Sequence, residues 1–416
     1  MLASYLKIAA KVLLRRKFFT FISLFGVSLT LLVALVATAI LDQLFAPVAP
    51  EIHADRTLWL YQIAATGKNW VRTGPPGYAF LEQTVRPLAT QPGVERVALV
   101  TNDRTVVSYL GGRRSELQLK RTDGEFWRIL DFHFLEGGPI TAADEAAGRR
   151  VAVINTATRQ RLFGGAPAVG RAVELEGERF RVVGVVPNVP NLRIIPYADV
   201  WVPISATNSS DYRHETFGGM MALVLARSRA DFPAIEAEFA ARMRRVPIPD
   251  PQHFDRLSGG LDTLFGTASR LLFTDRMEAS HPGLLAAVLA TALLLFLLLP
   301  TVNLINVQLS RILERAPEIG VRRSFGASKV TLVGQFLVEN LVLTLLGAGL
   351  GLALTAAVLP ALNASGLLPY AQLEINLRVF VAGLGIALLF GVLSGVYPAW
   401  RMSRLHPVQA LSGRNV

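Results

Sequence analysis

Phe18-Phe-Thr-Phe-Ile-Ser-Leu-Phe-Gly-Val-Ser-Leu-Thr-Leu-Leu-Val-Ala-Leu-Val-Ala-Thr-Ala-Ile-Leu41 runs for 24 residues without a charge. At a helical rise of roughly 1.5 Å per residue such a stretch crosses a hydrocarbon core about 30 Å thick. Three more stretches read the same way, from about Gly283 to Val307, Val330 to Leu359 and Val379 to Trp400. Between the first two lies a polar insert, Asp42 to His281, large enough for one or two domains. The composition agrees: of 416 residues 51% are hydrophobic and only 18% charged, and mean hydropathy is +0.40. There is no cysteine, which excludes disulfide scaffolds, thiolate zinc sites and cysteine nucleophiles.

The net charge of +11 resembles a nucleic-acid signal until its distribution is read. Lys7, Lys11, Arg15, Arg16 and Lys17 precede the first span with no acid among them. Arg311, Arg315, Arg322, Arg323 and Lys329 stand between spans two and three against Glu314 and Glu318, and Arg401, Arg404 and Arg414 follow the last span. These three segments hold 13 basic and 2 acidic residues, whereas the insert is balanced at 28 and 27. Lys and Arg concentrate on the cytoplasmic side of a membrane protein. Both termini and the 309–329 link are therefore expected inside and the insert outside, and no nucleic-acid partner is expected. Ala37-Thr38-Ala39 imitates a signal-peptide cleavage site. The apolar run before it is about 19 residues, beyond the usual 7–15 of a signal, so an uncleaved anchor is expected.

The expected fold is thus integral membrane and α-helical, with four transmembrane helices and a large α+β extracytoplasmic domain inserted between the first two. The layout is an amphipathic cytoplasmic helix at 1–17, spans at 18–41, 283–307, 330–359 and 379–400, and the outer domain at 42–281. A cytoplasmic link at 309–329, a short external loop at 360–378 and a tail at 401–416 complete it. In the outer domain, Leu58–Ile63 and Val94–Thr101 read as strands flanking a helix over Pro76–Ala89, a βαβ-like start. Arg150–Asn155, Ala172–Leu175 and Arg179–Val186 have the β-branched runs and flanking glycines of strands. Met221–Arg227 reads as a strand, and Asp231–Arg245 as a helix with Phe232, Ile235, Phe239 and Met243 at helical spacing. The two flanks are expected to pack together near the membrane and carry a β-rich distal part over 102–213.

No catalytic constellation emerges. His53, His133, His214, His253, His281 and His406 are scattered, with no metal spacing. Leu257-Ser258-Gly259-Gly260 mimics the ATP-binding-cassette signature, but these residues lie in the outward insert and the sequence has no G-x-x-x-x-G-K-[ST] loop. Neither catalytic nor metal-binding residues, nor a bound cofactor, are expected. Inside the spans, Gly347-x-x-x-Gly351 and Gly391-x-x-x-Gly395 allow close backbone approach, and Asn303 and Asn306 share one face of span two. Glu339 is an acid well within span three, fit either for a structural hydrogen bond or for a proton relay. On its residues alone the basic link is equally a charged element seated in a partner and a loop holding anionic lipid. Leu2–Arg16 sets Leu2, Leu6, Ala9 and Leu13 against Lys7, Lys11 and Arg15, as an interfacial helix would.

Glu314-Arg-Ala-Pro-Glu-Ile-Gly-Val-Arg-Arg-Ser-Phe-Gly-Ala-Ser-Lys329 with Gln335-Phe-Leu-Val-Glu339 resembles the loop after the second span in the MacB/FtsX family of ABC-transporter permeases, with its E-R-x-x-E-I-G-x-x-[KR]-x-x-G-A-[ST] core. The resemblance extends to Arg15-Arg-Lys-Phe18, to Arg161-Leu-Phe-Gly164, Val169-Gly170 and Phe180–Val186, and to Tyr397-Pro-Ala-Trp-Arg401 and Pro407–Leu411. Pro317, Ser324 and Trp400 depart from the family pattern. The resemblance implies a type VII ABC system without a fused ATPase, in which two permease chains (two copies, or this chain and a paralogue) work with separate cytoplasmic ATPase subunits that bind ATP and Mg. Glu314, Arg315, Glu318, Ile319, Gly320, Arg322, Arg323 and Gly326 would couple to the ATPase, Glu318 through a basic partner. The family's Glu at position 339 favours a structural role there. The implied location is the inner membrane of a Gram-negative cell. The implied function is mechanotransmission: ATP-driven closure moves the outer domains, for efflux through a periplasmic adaptor and outer-membrane duct or for lipid and lipoprotein handling. The alternative is an FtsX-type regulator of a cell-wall hydrolase or signalling partner.

Overall fold

In the computed structural model, residues 5, 11–15, 17–110, 113–207, 211–274, 276–296, 298, 321 and 328–403 are described. The chain divides into two compact units. One comprises Met1–Asp42, Ala287–Leu367 and Leu373–Val416; the other comprises Gln43–Ala286 with Leu368–Gln372.

The second, outer unit is α+β. Its strands are β1 (Thr57–Leu60), β2 (Ile63–Thr66), β3 (Val71–Gly74), β4 (Val94–Thr101), β5 (Arg104–Leu110), β6 (Arg113–Thr122) and β7 (Glu136–Gly137). They are followed by β8 (Val151–Asn155), β9 (Ala172–Leu175), β10 (Glu178–Val186), β11 (Val200–Pro203), β12 (Met220–Ala226) and β13 (Arg256–Gly259). Among the described residues ten of them make one mixed sheet in the order β1-β12-β4-β6-β11-β8-β10-β7, with β5 on β6 and β9 on β10. β13, β2 and β3 make a second, smaller sheet.

The position of β12 explains its sequence. Met-Met-Ala-Leu-Val-Leu-Ala is apolar throughout, which no strand with one wet face would be. Met220, Ala222, Val224 and Ala226 enter one core with Phe80, Leu81, Ile235 and Phe239, from helices Tyr78–Thr84 and Phe232–Met243. Met221, Leu223 and Leu225 enter the opposite core with Trp59, Phe126, Trp127 and Trp201. The two faces of one strand alternate with period two, so both halves of the alternation are apolar here. β12 also lies between β1 and β4, antiparallel to both. β12, from the far end of the insert, thus pairs with β1 and β4 from its start, and the βαβ-like start is split by it.

Two expected elements come out differently. Leu58–Ile63 is not one strand: the chain breaks at Tyr61-Gln62, β1 joins the large sheet and β2 the small one. The helix expected over Pro76–Ala89 is α-helical only over Tyr78–Thr84 and continues as a 3₁₀ turn, Arg86–Thr90. Pro87 has no N–H to donate into the preceding turn. Arg161-Leu-Phe-Gly164 ends helix Thr156–Phe163, where Gly164 adopts φ 62° as its left-handed cap. Leu257-Ser-Gly-Gly260 is structural: Leu257–Gly259 lie in β13, and a Cβ on Gly260 would strike the Arg270 guanidinium, which grips Asp262 at 2.6 Å.

In the helix Ala142–Ala146, Glu145 accepts from the Ser205 N–H at 3.1 Å through one oxygen, while the other is buried without a partner among the described residues. Burial, with the Asp123 carboxylate adding to it, pushes its pKa up to about 7. A raised carboxyl pKa favours the protonated fold, so its contribution is full at acid pH and is lost as pH rises toward 7. Glu145→Gln is expected to raise the melting temperature at pH 8, by the equivalent of about 1–2 kcal/mol after discounting for partial exposure, and to leave it unchanged at pH 4.5. Thermal melts of the purified full-length chain at both pH values check this; an equal gain at the two would contradict it.

Candidate functional site

In the first unit, helices Lys17–Phe45 and Leu337–Ala364 (the apolar part of Lys329–Ala364) are long and apolar enough to cross a membrane. Shorter apolar segments are described at Pro282–Phe296 and Leu377–Leu389, the latter within helix Leu377–Ser403. The polarity of the two long helices is the reverse of a soluble helix. In Lys329–Ala364 the buried ridge at four-residue spacing reads Gln335, Glu339, Leu343, Gly347, Gly351, Thr355 and Leu359, flanked by buried Asn340, Thr344 and Ala348. Leu345, Leu346, Leu350 and Leu354 are exposed. In Lys17–Phe45, Ser23, Ser28 and Thr30 are buried, whereas Phe18 is 71% and Phe21 65% exposed, with Phe25 and Leu29 continuing that stripe. Polar and small inward, leucine and phenylalanine outward is the arrangement lipid requires.

Residues Gly347 and Gly351 set the spacing of the seam. A Cβ on Gly347 would stand 2.8 Å from Val27 Cβ, and one on Gly351 2.9 Å from the Ser28 carbonyl oxygen. Both neighbours are stiff, one a branched carbon and the other backbone. Gly349, between them, faces open space. Ala348 packs with Val27 and Leu31, and Leu384 from helix Leu377–Ser403 packs against them. Three buried threonine hydroxyls are satisfied within their own helices: Thr344 Oγ1 donates to the Asn340 carbonyl at 2.9 Å, Thr355 Oγ1 to Gly351 at 2.8 Å, and Thr30 Oγ1 to Gly26 at 2.7 Å. The sequence reading missed Gly383, whose added Cβ would meet Leu31 at 3.1 Å. Gly383-x-x-x-Ala387 is the small-residue spacing that could have found it.

The other predicted residues fare differently. Gly391 and Gly395 lie in helix Leu377–Ser403. Asn303, Asn306, Glu314, Arg315, Glu318, Ile319, Gly320, Arg322, Arg323 and Gly326 lie outside the described residues, as does most of Leu2–Arg16. Among the described residues no group of three or more His, Asp or Glu could hold a metal.

The outer unit contains a charge cluster that no sequence signal announced. Arg193 donates to Glu51 at 2.6 Å and to the Ala46 carbonyl at 3.1 Å, with both side chains 2% exposed. Lys120, fully buried, donates to the carbonyls of Ile194 and Ile195. Burial raises the Glu51 carboxyl above its usual range, with Arg193 opposing, and pushes Lys120 down to about 8, with Asp103 and Glu51 opposing. The cluster locks Ala46–Glu51, which follow the span-one helix in sequence, to the loop 193–195. A second lock involves Leu368–Gln372, between helices Lys329–Ala364 and Leu377–Ser403 in sequence. Tyr370 OH donates to Asp199 at 2.8 Å, and the Asn191 N–H donates to the Pro369 carbonyl at 3.1 Å.

An outer α+β domain joined to inverted-polarity helices is the anatomy of a membrane permease subunit with an extracytoplasmic domain. A family model described as MacB-like periplasmic core domain matches residues 20–242, and one described as FtsX-like permease C-terminal matches residues 283–407. The chain belongs to the MacB/FtsX family of ABC-transporter permeases. It is 28% identical over 341 residues to the pyoverdine export ATP-binding/permease protein PvdT of Pseudomonas aeruginosa, covering 79% of this chain and 47% of that protein. It is 24% identical over 340 residues to the uncharacterized ABC transporter permease YknZ of Bacillus subtilis, covering 80% and 79%. The chain thus spans about half the length of its PvdT relatives. The periplasmic region of MacB from Actinobacillus actinomycetemcomitans aligns at 12% identity and TM-score 0.35, over 45% of this chain and 84% of that one.

Gly351→Val is expected to lower the melting temperature of the detergent-solubilised chain by the equivalent of about 1–3 kcal/mol of overpacking, while Gly349→Val shifts it far less; equal shifts would contradict the seam. Arg193→Met strands a buried carboxylate and is expected to cost about 3–5 kcal/mol, most of it regained in Arg193→Met/Glu51→Leu. A double variant no more stable than the single, by the same melts, would contradict the pairing.

Proposed function

We propose that the chain is the transmembrane subunit of a type VII ABC transporter. It crosses the membrane four times with both termini inside and residues 42–281 outside, pairs with a second permease, and transmits ATP-driven movement from a separate cytoplasmic ATPase to its outer domain. The observation that carries this reading is the double lock on the outer unit. A mechanical transmitter needs stiff links where chain leaves a membrane helix, and segments 46–51 and 368–372 are each held by a polar contact, the buried Arg193–Glu51 pair and the partly buried Tyr370–Asp199 hydrogen bond. Cores are close-packed and resist continuous deformation, so a displacement of either segment is passed on instead of absorbed.

The seam at Gly347 and Gly351 supports the same reading, since a helix held backbone to backbone moves as a rigid element. The cytoplasmic contact falls to Glu314–Gly326, with Glu318 pairing to a basic ATPase residue and Ile319 and Val321 as apolar anchors. Export is favoured over uptake by the likeness to the pyoverdine export proteins PvdT; the cargo class is a hydrophobic or lipid-linked molecule leaving through a periplasmic adaptor and outer-membrane duct. Co-purification of the chain with candidate ATPases, followed by ATP turnover in Glu318→Lys, tests the coupling. Association and permease-dependent turnover are expected to fall at least about tenfold, the scale of one lost charge pair turned repulsive. Wild-type values for both in the variant would remove the assigned coupling element.

A further inference from the structure

The outer unit holds a cavity of about 110 Å³ whose wall is nearly all apolar. Leu44 and Phe45, the last two residues of helix Lys17–Phe45, form one side. Leu264, Ala268 and Leu271, which share one face of helix Leu264–Phe273 at positions i, i+4 and i+7, form another. Glu51 and Arg193 also line it, but they neutralise each other. Trp59 and Thr267 also contribute to the wall, through their carbon atoms, since the indole N–H and the hydroxyl are themselves fully buried.

Water is a poor occupant, since apolar cavities of this order, such as one of about 150 Å³, stay dry and take benzene or xenon instead. The mouth is apolar too. Ile194 is 44% and Leu271 38% exposed, and the neighbouring Leu272 is 67% exposed, on a unit otherwise rich in arginine and glutamate. Leu44 and Phe45 follow the apolar run that ends at Leu41 by three and four residues, roughly 5–6 Å of helical rise. That is the depth of the headgroup and ester layer flanking a hydrocarbon core about 30 Å thick. An occupant that is a flexible hydrocarbon and available at that depth is a phospholipid acyl chain.

We propose that this cavity takes the ester-proximal segment of an acyl chain from a phospholipid of the outer leaflet, held by apolar contact. Leu271 and Ile194, partly exposed, admit the chain, and the Glu51–Arg193 pair forms part of the wall. A lipid seated there joins the end of span one to helix Leu264–Phe273 by hydrophobic contact. The proposal rests on the membrane topology given above and not on ATPase coupling.

The test uses the full chain in nanodiscs whose phosphatidylethanolamine carries a photoreactive diazirine within the first few carbons of the acyl ester, with adducts mapped by peptide mass spectrometry. Adducts are expected on residues 264–271 as well as on the lipid-facing stripe at Phe21 and Phe25. Ala268→Trp, which fills the cavity, is expected to reduce the 264–271 adduct at least about tenfold, as is Leu271→Asp at the partly exposed mouth, with the Phe21/Phe25 adduct unchanged. No adduct on 264–271 in the unaltered chain, or an undiminished one in both variants, overturns the cavity. Loss of the Phe21/Phe25 adduct in the unaltered chain would instead overturn the topology.

Discussion

Hydrocarbon offers no hydrogen bond to a stray N–H, C=O or hydroxyl, and it is no less apolar than leucine itself. Helices in it therefore cannot be held together by burying leucines; they associate by close packing and by sequestering what is polar. The seam around Gly347 and Gly351 meets both conditions. Its glycines let the Ser28 carbonyl and Val27 approach within a distance that no side chain would permit. Around them Gln335, Glu339, Asn340, Thr344 and Thr355 are buried, while Leu345, Leu346, Leu350 and Leu354 face out. Permease architecture follows from that inversion, because only a helix with its polarity turned inward can enter a bilayer while still carrying an acid such as Glu339.

The membrane-permease class was legible in the sequence because a membrane imposes a coarse, one-dimensional code, unbroken apolar length. The buried faces of the spans were legible only as spacings. Gly347 and Gly351 are four residues apart, and so are Gly391 and Gly395, but spacing alone does not distinguish a glycine facing backbone from one such as Gly349, which faces open space. The outer unit was readable where local chemistry decides, as in β4, β9, β10 and helix Phe232–Met243. It was unreadable where partners decide. Leu58 to Ile63 is one apolar run, yet β12 claims its first half and the small sheet takes the residues from Ile63 on. Glu51 and Arg193 are 142 positions apart, in segments with no pattern of their own. Long-range ion pairs leave no local signal, and neither does a cavity whose walls come from segments around 44, 59, 194 and 268.

The outer unit also shows how buried charge differs from stability. Glu51, Arg193 and Lys120 are desolvated groups whose removal in favour of apolar ones would leave folding little changed. What they fix is geometry: three carbonyls, those of Ala46, Ile194 and Ile195, are held by named cations at stated positions. Positional definition, more than net stabilisation, is what such a cluster supplies. The same logic applies to Tyr370, whose hydroxyl singles out Asp199 in a network with Asn155.

Sidedness is the claim on which the rest stands, and the absence of cysteine makes it directly measurable. Single cysteines introduced as Ala146→Cys in the exposed part of the outer unit and as Ala327→Cys in the basic link, each in cells expressing the full chain, can be challenged with a membrane-impermeant maleimide. The outer position is expected to label in cells whose inner membrane is intact, and the link only after that membrane is permeabilised. Labelling of position 327 in intact cells with protection of position 146 would invert the topology and contradict the account.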